Sequence, residues 1–285
     1  TENGNPAPGT TFSMTRIISG SNTQLPVGPG CFGCLPSLAL DSSRDQLYVS
    51  TNSNILVFSN VGTATGNFAP SRIISVGAIG VGRHLQLNSA ANTLYVSNKT
   101  NGHIYRINSA STANGVVVPS QDLTVPVGLN DTITDLALDA GHDVLYVAFN
   151  RNGIGRVGII LTISTRTTGA LVLDAEFAAG GGVNPSITVD GPRDRLYVSD
   201  HLSHVFVFDN ARFLTNAALA DRTIQLPGFL DHRLFLETTS DRLYASVQNR
   251  VLILNNAGSA SGSVTTAVAQ VSTLNTDLTS VVARP

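Results

Sequence analysis

Five pairs of oxygen-bearing side chains stand four residues apart in this chain: Asp41/Asp45, Asn88/Asn92, Asp139/Asp143, Asp190/Asp194 and Glu237/Asp241. Spaced oxygen ligands are what a calcium ion takes, yet no pair sits in an EF-hand loop pattern. Each pair instead falls at one recurring place, just ahead of a Leu-Tyr dipeptide. Asx side chains there hydrogen-bond the backbone of their own turn. The expectation is turn structure and no cofactor, with calcium as the alternative.

Other reactive side chains are few. His201 and His204 in "SDHLSHVFVF" have a metal-compatible spacing, but need further ligands to hold an ion. His103 in "NKTNGHIYRI" has a similar place, and all three read as structural residues of hairpin tips. The two cysteines, Cys31 and Cys34, form one C-x-x-C in "GPGCFGCLP". That is two ligands short of a zinc site. No His follows as haem attachment requires, and no helix opens there as in a redox motif. A local disulfide stiffening the loop is expected, with a small stabilisation because the closed loop is so short. There is no Gly-x-Ser-x-Gly elbow and no His-Glu-x-x-His. "GGGVNP" (180–185) precedes no helix that could receive a phosphate. "NKT" (98–100) and "NDT" (130–132) match the N-glycosylation pattern, which matters only in a eukaryotic secretory setting.

The elements that must position these groups repeat. The anchors are Leu47-Tyr48-Val49-Ser50, Leu94-Tyr95-Val96-Ser97, Leu145-Tyr146-Val147-Ala148, Leu196-Tyr197-Val198-Ser199 and Leu243-Tyr244-Ala245-Ser246, at steps of 47, 51, 51 and 47 residues. Ahead of each lies a short apolar segment: "SLALD", "HLQLN", "DLALD", "SITVD" or "RLFLE". Behind come segments such as "ILVFSN" and "VFVFDN", then a small-residue stretch and a fourth segment such as "PSRIIS". Four β segments per unit, separated by turn residues, cannot bury both faces of their own sheet. Stacking the units around an axis does, which makes the expected fold an all-β propeller of four-stranded blades. A parallel β-helix would need shorter rungs, and helical repeats a different apolar period. "TRIIS" (15–19) reads as an outer strand ahead of the first unit, and "DLTSVVA" (277–283) as an inner strand after the fifth. These ends are expected to close a reduced sixth blade, the alternative being strand addition to another subunit.

The stretch "LALDSSRDQLYVSTNSNILVFSNVGTATGNFAPSRIIS" resembles NHL-type and related bacterial secreted propeller repeats, a resemblance running from about residue 15 to the C-terminus. It implies the propeller fold and little about function, because such folds host scaffolds, sensors, lyases and lactonases alike.

In a propeller, equivalent residues converge on the axis. Ser37, His84, Asp135, Ser186 and Arg233 open the five inner strands at one register, with Arg83, Asn184, Asp231 and His232 beside them. A channel mouth carrying His84, Asp135, His232 and Arg233 could bind an anion or polarise a carbonyl. The lactonase-like members that the resemblance brings in use channel-facing carboxylates and amides around a divalent cation. This chain has too few acids at that register to match them, so no catalytic residue is assigned.

Composition narrows the partners. Only 13% of the 285 residues are charged and the net charge is −2, against about 25% charged in an average domain. That argues against nucleic acid, which needs a clustered basic face. No apolar run approaches membrane-spanning length. The polar start "TENGNPAPGTT" is expected to be a mature N-terminus (1–13, flexible) ahead of one propeller domain (14–285). A secreted, periplasmic or cell-surface location is expected. So is a non-enzymatic role in binding or structure, with a protein or surface glycan as partner. The alternatives are a channel-mouth hydrolase or lyase, and a subunit of an extracellular filament self-assembled through its end strands.

Overall fold

A computed structural model describes residues 16–25, 37–51, 53–76, 84–98, 102–126, 132–180, 182–227, 233–247, 250–265 and 267–270. Cys31, Cys34, His232 and the 277–283 segment lie outside the described residues. The chain forms five antiparallel blades arranged as a β-propeller, one per sequence repeat. Blade 1 is β1 (Leu38–Asp41), β2 (Gln46–Ser50), β3 (Ile55–Ser59) and β4 (Arg72–Ser75). Blade 2 is β5 (Leu85–Asn88), β6 (Thr93–Ser97), β7 (His103–Asn108) and, after the two-residue β8 (Gly115–Val116), β9 (Gln121–Thr124). Blade 3 is β10 (Ile133–Asp139), β11 (Val144–Arg151), β12 (Ile154–Ile160) and, after β13 (Gly169–Ala170), β14 (Ala175–Ala178). Blade 4 is β15 (Ile187–Asp190), β16 (Arg195–Ser199), β17 (His204–Asp209) and β18 (Arg222–Gln225). Blade 5 is β19 (Leu234–Glu237), β20 (Arg242–Val247), β21 (Arg250–Asn255) and, after β22 (Gly262–Ser263), β23 (Ala267–Gln270).

The first member of each blade is the inner strand, and the Leu-Tyr anchor is the second. Alternation along the anchor sends its Leu to one face and its Tyr to the other. The core is therefore a set of seams between blades. Tyr48, Ile55 and Val57 meet Leu94, Val96 and Tyr105. Tyr95 and Ile104 meet Leu145, Val147 and Phe149. Tyr146, Val157 and Phe177 meet Leu196, Val198 and Phe208, with the two phenylalanine rings 4.9 Å apart. Tyr197, Val205 and Val207 meet Leu243, Ala245 and Leu252.

The paired acids build the turns between inner strand and anchor. Asp45, Asn92, Asp143, Asp194 and Asp241 all adopt left-handed backbone, with φ between 50° and 57°. Asx residues tolerate that region, and their short side chains reach beyond their own turn to the N–H groups of a neighbouring one. They accept from the backbone N–H of Gly62 (2.8 Å), Ser111 (2.8 Å), Ser164 (3.1 Å), Arg212 (3.1 Å) and Gly258 (3.0 Å), each at the turn that follows the third strand. The first member of the pair closes its own turn: Asp41 accepts from Arg44 N, Asn88 from Ala91 N and Asp139 from His142 N.

The glycine-rich segment before blade 4 serves close packing. A Cβ on Gly182 would lie 2.0 Å from the Asp200 carbonyl oxygen, and one on Gly180, at φ +77°, would enter the Phe206 ring. The tip histidines are held by acids: His103 Nδ1 lies 2.6 Å from Asp122 Oδ1, and His204 Nδ1 2.7 Å from Asp200 Oδ2.

Outer strands touch the following blade through short parallel pairs, Ile74 with Gly115, Leu123 with Gly169 and Ile224 with Gly262. Ile18 makes the same parallel bridge to Gly66 of blade 1. The N-terminal segment thus lies against blade 1 as an outer strand lies against the blade after it, the place its sequence predicts.

Tyr146 is fully buried between blades 3 and 4. Burial pushes its hydroxyl well above the ordinary phenolic pKa, with Asp194 and Asp139 adding to the effect. Tyr146→Ser should open a void costing about 3–5 kcal/mol, as large-to-small aromatic changes do. Thermal unfolding should show a midpoint lowered by roughly 10 °C. An unchanged midpoint would remove Tyr146 from the seam.

Candidate functional site

The five inner strands line a central channel enclosing a cavity of about 250 Å³. Leu38, Leu40, Leu87, Leu138, Val189 and Leu236 line it together with the polar Ser37, Gln86, Asp135, Thr188 and Arg233, and the polar groups make up most of its exposed surface. The residues aligned by the repeat gather at one mouth: Ser37, His84, Asp135, Ser186 and Arg233 are all buried, the most exposed being Arg233 at 9%.

Asp135 is the hub. One carboxylate oxygen accepts from Leu136 N (2.9 Å) and from an Arg233 guanidinium N–H. The other accepts from Ser186 Oγ (2.6 Å) and Ile187 N (3.1 Å). Burial alone would raise the carboxyl's pKa. The Arg233 charge, with the hydrogen bond from Ser186, outweighs it and holds Asp135 below the ordinary carboxylate value. Arg233 comes from blade 5 and crosses the channel to reach an acid on blade 3. Its second terminal nitrogen lies 2.6 Å from His84 Nδ1 on blade 2.

That last contact defines the imidazole. A guanidinium has no lone pair to offer, so Nδ1 must be the acceptor and the ring is neutral, protonated at Nε2. The 3.5 Å separation between His84 Nδ1 and Asp135 Oδ1 is then proximity across a shared donor and not a second hydrogen bond.

The same residues weld blade to blade. Ser37 Oγ accepts from Leu85 N (3.1 Å), Asp135 from Ile187 N, and Ser186 Oγ from Leu234 N (3.1 Å). Gln86 Nε2 donates to the Leu136 carbonyl at 2.6 Å. Behind them stand residues that the sequence reading passed over, the serines ending three anchors. Ser50 Oγ accepts from Ser37 N (2.7 Å), Ser199 Oγ from Ser186 N (3.1 Å) and Ser246 Oγ from Arg233 N (3.0 Å). Their signal was present: Ser closes four of the five anchors, and a recurring hydroxyl on a buried strand needs a partner.

Of the four mouth residues expected from the sequence, His84, Asp135 and Arg233 meet, and His232 lies outside the described residues. Asn184 stays outside the knot, bonded to Asn150. Among the described residues, no three His, Cys, Asp or Glu side chains converge as a metal would require. The chemistry of the cluster is that of a neutralised ion pair whose carboxylate already has four donors, two on each oxygen.

Breaking a buried pair from one side leaves the other charge uncompensated, at about 3–5 kcal/mol. Asp135→Asn should therefore lower the unfolding midpoint strongly. The sign of the pH effect follows from the depressed carboxyl: its contribution is present above the unfolded value near ~3.9 and is lost as pH falls through the lower folded value. Acid unfolding of Asp135→Asn should accordingly be less steep below about pH 4. Asp209, pulled to about 2 by Arg222 and, against burial, by Arg195, supplies residual acid sensitivity in both proteins. Identical pH profiles would exclude Asp135 as a charged hub.

No protein-family model matches the chain, and no curated protein matches it. Among solved structures the chain is similar to Kluyveromyces lactis Hsv2, with a TM-score of 0.48 and 18% identity over 78% of this chain and 68% of that one.

Proposed function

We propose that this protein is a non-enzymatic propeller that acts as a binding or interaction module outside the cytoplasm. The observation that carries the reading is the saturation of Asp135. A base or nucleophile must be able to reach a substrate atom. Here the acid at the mouth holds four donors and the neighbouring arginine is turned inward on it.

The perimeter supports a contact role. Val118, Val172 and Leu219 each stand three residues ahead of an outer strand, on blades 2, 3 and 4, and are 91%, 80% and 85% exposed. Val116 and Phe213 are exposed on the same blades. Apolar side chains repeated at one register on a surface this poor in charge form a surface for a protein or glycan partner. The hydroxyl- and amide-rich exterior suits an exported protein, in keeping with the NHL-type secreted repeats that the sequence resembles.

Two assays separate this from hydrolysis or lyase chemistry at the mouth. The purified protein, offered lactone and ester panels with added calcium, should show no turnover above buffer. Turnover abolished by His84→Ala would overturn the reading. Binding to an extract of the native cell surface should fall at least about tenfold in the triple variant Val118→Asp, Val172→Asp, Leu219→Asp, the loss of two or three hot-spot contacts, with little change in the unfolding midpoint.

A further inference from the structure

Two sheet faces in this propeller are covered less well than their equivalents. In the four seams described above, the anchor tyrosines Tyr48, Tyr95, Tyr146 and Tyr197 are 0–2% exposed. Tyr244 on blade 5 is only half-buried, as are Phe235, 6.0 Å from it, and Val251 on the same face. Ile55, Ile104 and Val205, which correspond to Val251, are fully buried. The opposing face belongs to blade 1. There Leu38 and Leu47 are half-buried, whereas Leu85, Ile187 and Leu234, and Leu94, Leu145, Leu196 and Leu243, are buried. Successive inner strands run in extended contact from β1 to β5, β10, β15 and β19, and no such contact joins β19 to β1 among the described residues. The segment 16–19 lies on blade 1 in the outer-strand position, although blade 5 already has β23 as its outer strand.

We propose that the seam between blades 5 and 1 receives the chain's own C-terminal segment, Ser280 to Ala283, as a sixth inner strand. The mouth register runs 37, 84, 135, 186, 233, and one further step of 47 lands on Ser280. "TSVVA" (279–283) repeats the form of "PSLAL" (36–40) and "PSITV" (185–189). The connection also has the right length. From the last residue of an outer strand to the next register residue is 8 to 11 residues (Ser75 to His84, Thr124 to Asp135, Ala178 to Ser186, Gln225 to Arg233), and Gln270 to Ser280 is 10.

The hydrogen bonds of the mouth point the same way. Ser37, Asp135 and Ser186 each accept an N–H from the following blade. Arg233, the register residue of blade 5, has no acceptor atom and turns across the channel. Ser280 restores an acceptor at this step, with its hydroxyl facing Leu38 N. Strand alternation turns Val281 toward Tyr244 and Phe235, and Val282 toward Leu38 and Leu47.

The test uses the full-length chain. Hydrogen exchange read by mass spectrometry should show the 277–284 peptide slowed at least ~10-fold relative to the same peptide free in solution. The chain contains no tryptophan, so Tyr244→Trp places a single indole on the blade 5 face. Its emission should be blue-shifted, and should move to the red when Val281→Asp and Val282→Asp are added. Exchange at the free-peptide rate overturns the proposal, as does an indole blind to the two aspartates. Protection and blue emission that vanish on dilution, together with a dimer in size-exclusion chromatography, overturn it in favour of a second copy.

Discussion

A sheet of four short strands with apolar residues on both sides cannot hide either side by itself. Every feature of this molecule answers that constraint. Leu faces the blade before and Tyr faces the blade after, so the anchor is a two-sided adhesive. Single Val, Leu and Phe side chains contribute on the order of 1.5–3 kcal/mol each when buried, but only if the neighbour supplies the opposing face. Stability is therefore collective: seam after seam carries the same chemistry, and no blade is a folding unit alone. The turns are held by Asx residues in left-handed backbone because strands this short leave no room for slack between them.

Apolar seams set which faces meet but are tolerant of sliding. Register along the axis needs directional bonds, and these lie at the channel mouth. Asp135 accepts donors from blades 3, 4 and 5, and Arg233 ties it to His84 on blade 2. A polar network of this kind is an advantage only when every member is satisfied. That requirement sets structure against chemistry: the bonds that align the blades occupy the very atoms a substrate would need. The mouth is thereby a fastening, and the binding role proposed above falls to the perimeter, where Val118, Val172 and Leu219 are exposed.

Much of this was legible from the chain. The anchors and their period lead to the propeller because one repeated pattern demands one repeated environment. His84, Asp135 and Arg233 could be brought to one mouth from register alone, since rotational symmetry carries equivalent positions to the axis. The acid pairs read as turn residues for the same reason, since Asn88 and Asn92 fill the place of aspartates, but only the first members bond their own turn and the second members bond the turn after the third strand. What stayed hidden depends on side-chain reach across the fold. Nothing in local sequence says that Arg233 would choose an acid 98 residues away, or that Ser50, Ser199 and Ser246 would cap backbone groups behind the mouth. The tight approach of Gly182 to Asp200 was likewise invisible, being a distance between two hairpins and not a property of either.

The short parallel pairs on the rim have a further effect. An outer strand ordinarily offers a ladder of unsatisfied groups to any passing chain, and proteins commonly blunt it with lysine or proline. With so few charges, this protein has little electrostatic repulsion to keep neighbours apart. Gly115, Gly169 and Gly262 each bring two residues of the adjoining blade onto that ladder. Among the described residues the glycine-led clips cover the outer strands of blades 1, 2 and 4, which leaves less open ladder there for edge-to-edge stacking.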